Sequence, residues 1–172
     1  MSLINIDNTI IQTYQQGIDD LINQLGKNCR LVFPPRIIPC PNCILDPNTK
    51  MSTGYYKAGG PYFFDDGTIC PMCNGGGQQS VESTKTIKML VEWNPKNVLS
   101  KLKDYNIQIT SPHSIALTKT FLIYVPDILQ CQYAILDTGV EAMLSLKCYK
   151  ISEPVLSGLQ VSRYATIIWE RR

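Results

Sequence analysis

Apolar residues at Ile10, Ile11, Tyr14, Ile18, Leu21, Ile22 and Leu25 recur at spacings of three, four and seven. That recurrence gathers them on one side of an α-helix and predicts a helix over residues 8–25. Asp7 or Asn8 supplies an acceptor for the unpaired amides of its first turn. Gly26 is placed to end it in the left-handed conformation. Gln12, Gln15, Gln16, Asp19, Asp20, Asn23 and Gln24 lie mostly off the stripe, with the Asp19-Asp20 pair expected on the solvated face. Two uses of the stripe stay open: packing on its own domain, or packing on a neighbouring subunit.

Beyond the helix the period shortens. Leu31-Val32-Phe33 reads as a short strand stopped by Pro34-Pro35. Over residues 85–93, Ile87, Met89, Val91 and Trp93 alternate with Lys88, Leu90 and Glu92, the period of two of a half-buried strand. Residues 107–110, 119–125 and 163–170 read as further strands, the last a closing strand rich in β-branched and aromatic side chains. Residues 140–150 fit either strand or helix. Asn94-Pro95-Lys96-Asn97, Asp137-Thr138-Gly139 and Ser157-Gly158 are turn signals between them. Several short strands with turn punctuation predict a mainly β fold, an antiparallel barrel- or sandwich-like domain carrying an N-terminal amphipathic helix.

Between residues 40 and 79 neither period holds. Two knuckles stand there, Cys40-Pro41-Asn42-Cys43 and Cys70-Pro71-Met72-Cys73, in the pattern Cys40-x₂-Cys43-x₂₆-Cys70-x₂-Cys73. Paired C-x₂-C turns can close a tetrahedral sulfur shell around one metal ion. Each tight turn can aim backbone N–H groups at its first thiolate, with Pro41 and Pro71 presetting the backbone. Gly75 allows a left-handed turn after the second knuckle. Four protein sulfurs leave no open coordination position, so the metal would hold structure and do no chemistry. Zinc is the first choice. Iron in a rubredoxin-like site is the alternative, and would make the chain an electron carrier. Structural zinc supplies about 10–16 kcal/mol of apparent folding free energy near pH 7, comparable to the whole stability of about 5–15 kcal/mol of a typical domain. Tyr55, Tyr56, Tyr62, Phe63 and Phe64 lie between the knuckles and are expected to cover the site and anchor it. Asn74-Gly75-Gly76-Gly77-Gln78-Gln79-Ser80 reads as a flexible polar exit. The organisation expected is therefore residues 1–39 as helix and first strand, 40–79 as a Cys₄ zinc-ribbon insert, and 80–172 as the β-rich domain.

Composition narrows the function. Of 172 residues 44% are hydrophobic and 17% charged, enough to build a core and too apolar for disorder. The formal charge of +2 falls near neutral once four thiolates hold a zinc ion, which is not the strongly basic footprint of a phosphate-binding protein. Residues 40–79 hold Lys50 and Lys57 against Asp46, Asp65 and Asp66, although their aromatics could stack on bases. Arg163 and the terminal Glu170-Arg171-Arg172 read as a solvated edge. No signal peptide and no run long enough to cross a membrane is expected, and a reducing compartment favours metal over disulfide. Cys29, Cys131 and Cys148 lack ligand spacing and read as small buried hydrophobes. The one histidine, His113, has no neighbouring carboxylate to orient it, and Gly75-Gly76-Gly77 lacks the lysine of a phosphate loop. No catalytic residues and no small-molecule substrate are expected.

The second knuckle, Cys70 to Gly77, resembles the C-x-x-C-x-G-x-G repeat of J-domain chaperones. The likeness covers that knuckle alone, since Cys43-Ile44-Leu45 lacks the glycines, and chaperone function is not carried across. A broader resemblance follows the order of elements: the helix leading to Cys29-Arg30-Leu31-Val32-Phe33, the insert with Tyr55-Tyr56-Lys57-Ala58-Gly59-Gly60-Pro61, the β domain, and the closing residues 158–164 with Ile167-Ile168-Trp169-Glu170-Arg171. In this it is similar to small virion proteins of tailed bacteriophages: head-completion, stopper or neck proteins. The resemblance implies a barrel-like core that forms homo-oligomeric rings. It implies as partners a portal or adaptor protein, tail proteins and packaged DNA. Many such proteins lack zinc ligands, so the insert departs from their pattern.

Overall fold

The computed structural model describes residues 7–93, 115–136 and 146–171. It divides into two compact units, Met1–Phe33 with Thr84–Arg172, and Pro34–Ser83. The chain leaves β1 (Lys27–Val32), runs through β2 (Arg36–Pro39), β3 (Cys43–Leu45), β4 (Ser52–Tyr56) and β5 (Gln78–Val81), and resumes in β6 (Thr84–Trp93). Val32 pairs with Thr84 across β1 and β6. Residues 34–83 are thus an insertion at the tip of a hairpin. The insertion is wider than 40–79 because its flanks pair with each other, Arg36 opposite Val81 through to Pro39 opposite Gln78. That ladder also replaces the flexible exit expected at residues 78–80.

In the larger unit β7 (Ile115–Phe121), β8 (Tyr133–Leu136), β9 (Leu146–Lys150), β10 (Val155–Ser157) and β11 (Tyr164–Arg171) complete the strands. The antiparallel order β11-β7-β6-β1-β8-β9 returns to β11 and closes a six-stranded barrel. β9 and β10 both face β11: Lys150 lies opposite Trp169 and Val155 opposite Thr166. Four residues of the connection span two of β11, so the surplus forms a bulge. The Ser152 hydroxyl accepts from the Ile168 N–H at 3.1 Å and keeps that amide paired. Alternation fills the interior. Leu31, Ile87, Met89, Leu136, Ile167 and Trp169 interleave with Ala116, Ala134 and Ala165, all buried, the large-and-small mixture a narrow barrel needs. Trp169 donates its indole N–H to the Thr118 hydroxyl at 2.8 Å, which satisfies both polar groups in the core.

Two sequence readings along these strands are corrected. Residues 119–125 are not one strand: β7 stops at Phe121, a 3-10 turn covers Leu122–Tyr124, and α2 spans Val125–Gln130. Pro126 fits the first turn of that helix, where its missing N–H costs nothing, and the turn lets Ile128 enter the core. Glu170 is not at a solvated edge but buried, because β11 carries it between Ile115 of β7 and Tyr149 of β9. Arg163 pairs with Asp19. The ambiguous stretch is strand over Leu146–Lys150. The expected strand at 107–110, the turns at 94–97 and 137–139, and residues 140–145 lie outside the described residues.

α1 (Asn8–Leu25) has the predicted bounds, and Asp7 caps it by accepting from the Thr9 N–H at 2.9 Å. Gly26 is extended, with φ −62° and ψ 138°, not left-handed. The reason is that Lys27 already pairs with Met89, so the chain must leave the helix as a strand. Ile11 and Ile22 are buried against the barrel. The Tyr164 hydroxyl lies 2.8 Å from both the Gln15 carbonyl oxygen and Asp19 Oδ1 and shares its one proton between these acceptors. Asp19 therefore belongs to the inner face and not to the solvated one.

Burial, with the neighbouring Asp19 carboxylate, pushes the Tyr164 phenol up from 10.0 to about 12. A raised acid is stabilised in its protonated form, so this contribution is complete below about pH 10 and is lost as pH rises through about 12. Tyr164→Phe is expected to lower stability by about 1 kcal/mol in denaturant melts at neutral pH. Its deficit against the wild type should shrink across that alkaline window, and a deficit that stays constant to pH 12 contradicts the helix-docking role.

Candidate metal centre

Cys40 follows β2 directly, and its N–H donates to the Gly77 carbonyl at 2.9 Å. Gly77 can be nothing larger. Its φ is +69°, and a Cβ there would lie 2.1 Å from the Lys50 carbonyl oxygen. Cys43 opens β3 opposite Tyr56 of β4. The second knuckle is a turn closed by Asn74 N–H to the Cys70 carbonyl and Gly76 N–H to the Cys73 carbonyl, each at 2.9 Å. Asn74 and Gly75 there have φ of +49° and +82°, the left-handed bend expected of Gly75.

These turns bring Cys40, Cys43, Cys70 and Cys73 together, with all four sulfurs within 4.8 Å of one another. Cys40 Sγ lies 3.9 Å from Cys70 Sγ, and Cys43 Sγ 3.7 Å from Cys73 Sγ. A tetrahedron with metal–sulfur bonds of about 2.3 Å has edges of about 3.8 Å. A disulfide needs about 2.05 Å, and none joins these thiols. The sulfurs are thus spaced to hold one metal ion, and the donor set suits a soft or borderline cation.

Their surroundings are asymmetric. Burial pushes the Cys43 thiol up to about 12 and also raises Cys40. Burial acts on Cys70 in the same sense but is outweighed. The Asn42 amide and the N–H groups of Cys73 and Met72 stabilise its thiolate and bring it down to about 6. The N–H of Asn42 likewise faces Cys40. The first thiolate of each knuckle is the one that receives backbone N–H groups, as the turn geometry requires.

Asn42 is the residue that spacing did not single out. It is completely buried in the insert. Its side-chain N–H₂ donates to Cys70 Sγ at 3.5 Å, and its Oδ1 accepts from the Tyr62 N–H at 2.8 Å. It links the first knuckle to the second and to the aromatic loop. Gly60 admits it, since a Cβ there would come within 2.8 Å of Asn42 Oδ1. An asparagine inside a C-P-x-C turn could have signalled this, because a short amide there can reach the opposite sulfur.

The aromatics divide. Phe64 is buried and packs with Tyr56, Leu45 and Met72 over the sulfurs, and the Tyr56 hydroxyl donates to the Gly60 carbonyl at 2.8 Å. Tyr55, Tyr62 and Phe63 are exposed and do not cover the site as expected. Of the remaining thiols, Cys29 and Cys148 are buried in the barrel and Cys131 is half-buried. Burial pushes Cys131 and Cys148 up to about 11, which suits inert packing and not nucleophilic chemistry. His113 lies outside the described residues. Among the described residues no helix is long and apolar enough to cross a membrane.

Cys70→Ser is expected to lose the metal and to open residues 40–77 to limited proteolysis while β1 and β6 stay protected. A mutant that keeps metal and the native cleavage pattern contradicts a metal-held insert. Asn42→Ala keeps all four sulfurs but removes a hydrogen bond to one, and is expected to weaken metal binding by about 10–100-fold in chelator competition. No protein-family model matches the chain, and neither a curated protein nor a solved structure does so.

Proposed function

We propose that this chain is a non-enzymatic structural protein whose insert is held by zinc through Cys40, Cys43, Cys70 and Cys73. The observation that carries the reading is the closed sulfur tetrahedron. Four thiolates fill the shell of a tetrahedral ion and leave no position for water or substrate. The metal's contribution there is folding free energy for a unit whose buried cluster consists of little more than three of the cysteines and Phe64. The filled interior of the barrel agrees with a rigid building block.

The finer reading is a ring-forming head–tail connector of a tailed phage, a head-closure, stopper or neck component residing in the virion. It would touch copies of itself, a portal or adaptor protein, tail proteins and packaged DNA. Its support is the order of elements together with exposed apolar side chains on both units, among them Ile37, Phe63 and Ile69 in the insert and Ile123 and Val155 on the barrel. Scattered singly, such side chains need no partner, so the order of elements carries this finer reading.

One observation favours a second reading, a nucleic-acid-binding zinc ribbon: Tyr55, Tyr62 and Phe63 offer exposed rings to stack on bases. Charge weighs against it. Residues 34–83 carry Arg36, Lys50 and Lys57 against Asp46, Asp65, Asp66 and Glu82, and four thiolates around a divalent ion add further negative charge. The same tetrahedron would accept iron in a rubredoxin-like electron carrier.

Native mass spectrometry reads metal and assembly together. The expected result is one zinc per chain, a colourless protein, and closed multimers. Iron mass with visible colour supports the electron carrier. Retention on single-stranded DNA that falls steeply as salt rises supports the nucleic-acid reading. A metal-free monomer removes the structural-zinc reading altogether.

A further inference from the structure

Strands β1, β8 and β9 carry a row of side chains on the outside of the barrel. Arg30 lies opposite Ile135, and Ile135 opposite Lys147. Their chain neighbours Cys29, Leu31, Ala134, Leu136 and Cys148 fill the interior, so this row faces outward. Tyr133 and Tyr149 stand beside it with ring centroids 5.8 Å apart, and Lys147 Nζ lies over the Tyr133 ring at 5.0 Å. Arg30 and Lys147 are exposed, while Ile135 and the two tyrosines are half-buried. Among the described residues neither cation forms an ion pair. The acid carried by the next strand, Glu170 opposite Tyr149, is buried.

The insert carries the opposite combination. Tyr62 and Phe63 are 60% and 77% exposed, and Asp65 and Asp66, just beyond the buried Phe64, are exposed as well. The loop is held in shape from within. The Tyr62 N–H donates to Asn42 Oδ1 at 2.8 Å, Phe63 stands edge-on to Tyr56 at 5.3 Å, and the Thr68 hydroxyl donates to the Asp65 carbonyl at 2.6 Å. A loop already fixed in this way loses little freedom on docking. Among the described residues neither carboxylate forms an ion pair. The two units also differ in total charge. Residues 34–83 hold 3 basic side chains against 4 acidic ones, a net of −1, and the rest of the chain 13 against 10, a net of +3.

We infer that the loop from Tyr62 to Asp66 of one copy docks on the Arg30–Ile135–Lys147 row of a second copy of this chain. Asp65 and Asp66 meet Arg30 and Lys147, and Tyr62 and Phe63 cover Ile135 and the two tyrosines. Charge complementarity identifies the occupant. Two cations are too few to track the phosphates of a nucleic-acid strand, and Lys147 already lies over the Tyr133 face on which a base would stack. An aromatic loop ending in two carboxylates suits both features, and the chain itself supplies one. Loop and row are different surfaces, so the contact is heterologous: each copy gives one loop and receives another. Repetition closes a ring where the rotation allows it and builds an open filament where it does not. The inference deepens the ring-forming reading and rests on it for closure alone.

The test is sedimentation velocity of the full, metal-loaded chain over a micromolar-to-millimolar series, with zinc content and melting temperature read for every variant. Wild type is expected to form concentration-dependent multimers. Asp65→Lys with Asp66→Lys, and separately Arg30→Glu with Lys147→Glu, should each raise the dissociation constant at least about tenfold while zinc content and melting stay those of wild type. The milder Asp65→Asn with Asp66→Asn should weaken assembly in the same direction, and Asp20→Lys, on α1, should leave it unchanged. Mixing the two charge-reversed proteins should restore assembly, because each then offers the loop that fits the other's row. A wild type monomeric at every concentration overturns the inference, and so does a mixture that stays dissociated. Single-stranded DNA retained by wild type and released by Arg30→Glu with Lys147→Glu, with assembly unaffected, overturns it in favour of a nucleic-acid face. Rings that neither reversal disturbs overturn it and leave the connector reading standing. Open chains or dimers that each reversal dissolves and the mixture restores uphold it and remove the connector reading.

Discussion

Four sulfurs within 4.8 Å of one another cannot all carry charge unless a cation sits among them. At an effective dielectric near 20, two like charges about 4 Å apart repel by roughly 4 kcal/mol. Summed over every pair of the four, the repulsion exceeds the roughly 5–15 kcal/mol that holds an ordinary domain together. The thiols must therefore stay largely protonated or share a metal. The insert has little else to fold around, since its buried apolar cluster is Cys40, Cys43, Cys70 and Phe64. Its short ladders, β2 with β5 and β3 with β4, are two-stranded sheets, which are marginal in water on their own. Everything in the unit from Pro34 to Ser83 depends on how that charge is neutralised.

The barrel solves the same problem of stability by different means. Its strands close on themselves through β11, which is shared between β7 on one side and β9 and β10 on the other. Its core is made of side chains that need no ion. The two solutions are kept apart by topology. The insert leaves and returns through Val32 and Thr84, a paired position of the β1–β6 ladder. The β1–β6 ladder ends at that pair, and an excursion at a hairpin tip adds loop-closure entropy that grows only slowly with length. A unit that a metal could hold together can be carried there as a separate compact body.

Legibility in the sequence followed the strength of periodicity. α1 was readable to the residue because seven apolar positions kept one phase over five turns. β6 was readable because Ile87 and Met89 alternate with Lys88. The cluster of Cys40, Cys43, Cys70 and Cys73 was readable because the chemistry of a metal-binding knuckle tolerates few spacings. What escaped was set by partners distant in sequence. β8 is four residues long, and Tyr133–Leu136 becomes a strand only because β1 and β9 flank it. Gln78-Gln79-Ser80 looks like a linker until Ile37 and Ile38 pair with it. Glu170 looks solvated until β7 and β9 close over it. Asp19 looks solvated until Tyr164, far along the chain, supplies a hydroxyl. Asn42 escaped because its role lies in reaching a sulfur of the other knuckle, which no local pattern encodes.

Seven cysteines in one short chain raise the question of what would let a metal select four of them. Apolar content does not separate the sets, because Cys29 and Cys148 are as buried as Cys70. The difference lies in what faces each sulfur. A metal ligand must surrender its proton, and burial alone opposes that, pushing the Cys131 and Cys148 thiols up. In the insert the two C-P-x-C turns direct N–H groups at Cys40 and Cys70, and Asn42 adds a side-chain donor to Cys70. Those donors favour the Cys70 thiolate, and the sulfurs of Cys40, Cys43 and Cys73 are gathered around it. Selectivity among the thiols is thus a property of the backbone turns, and the prolines at 41 and 71 help to set those turns.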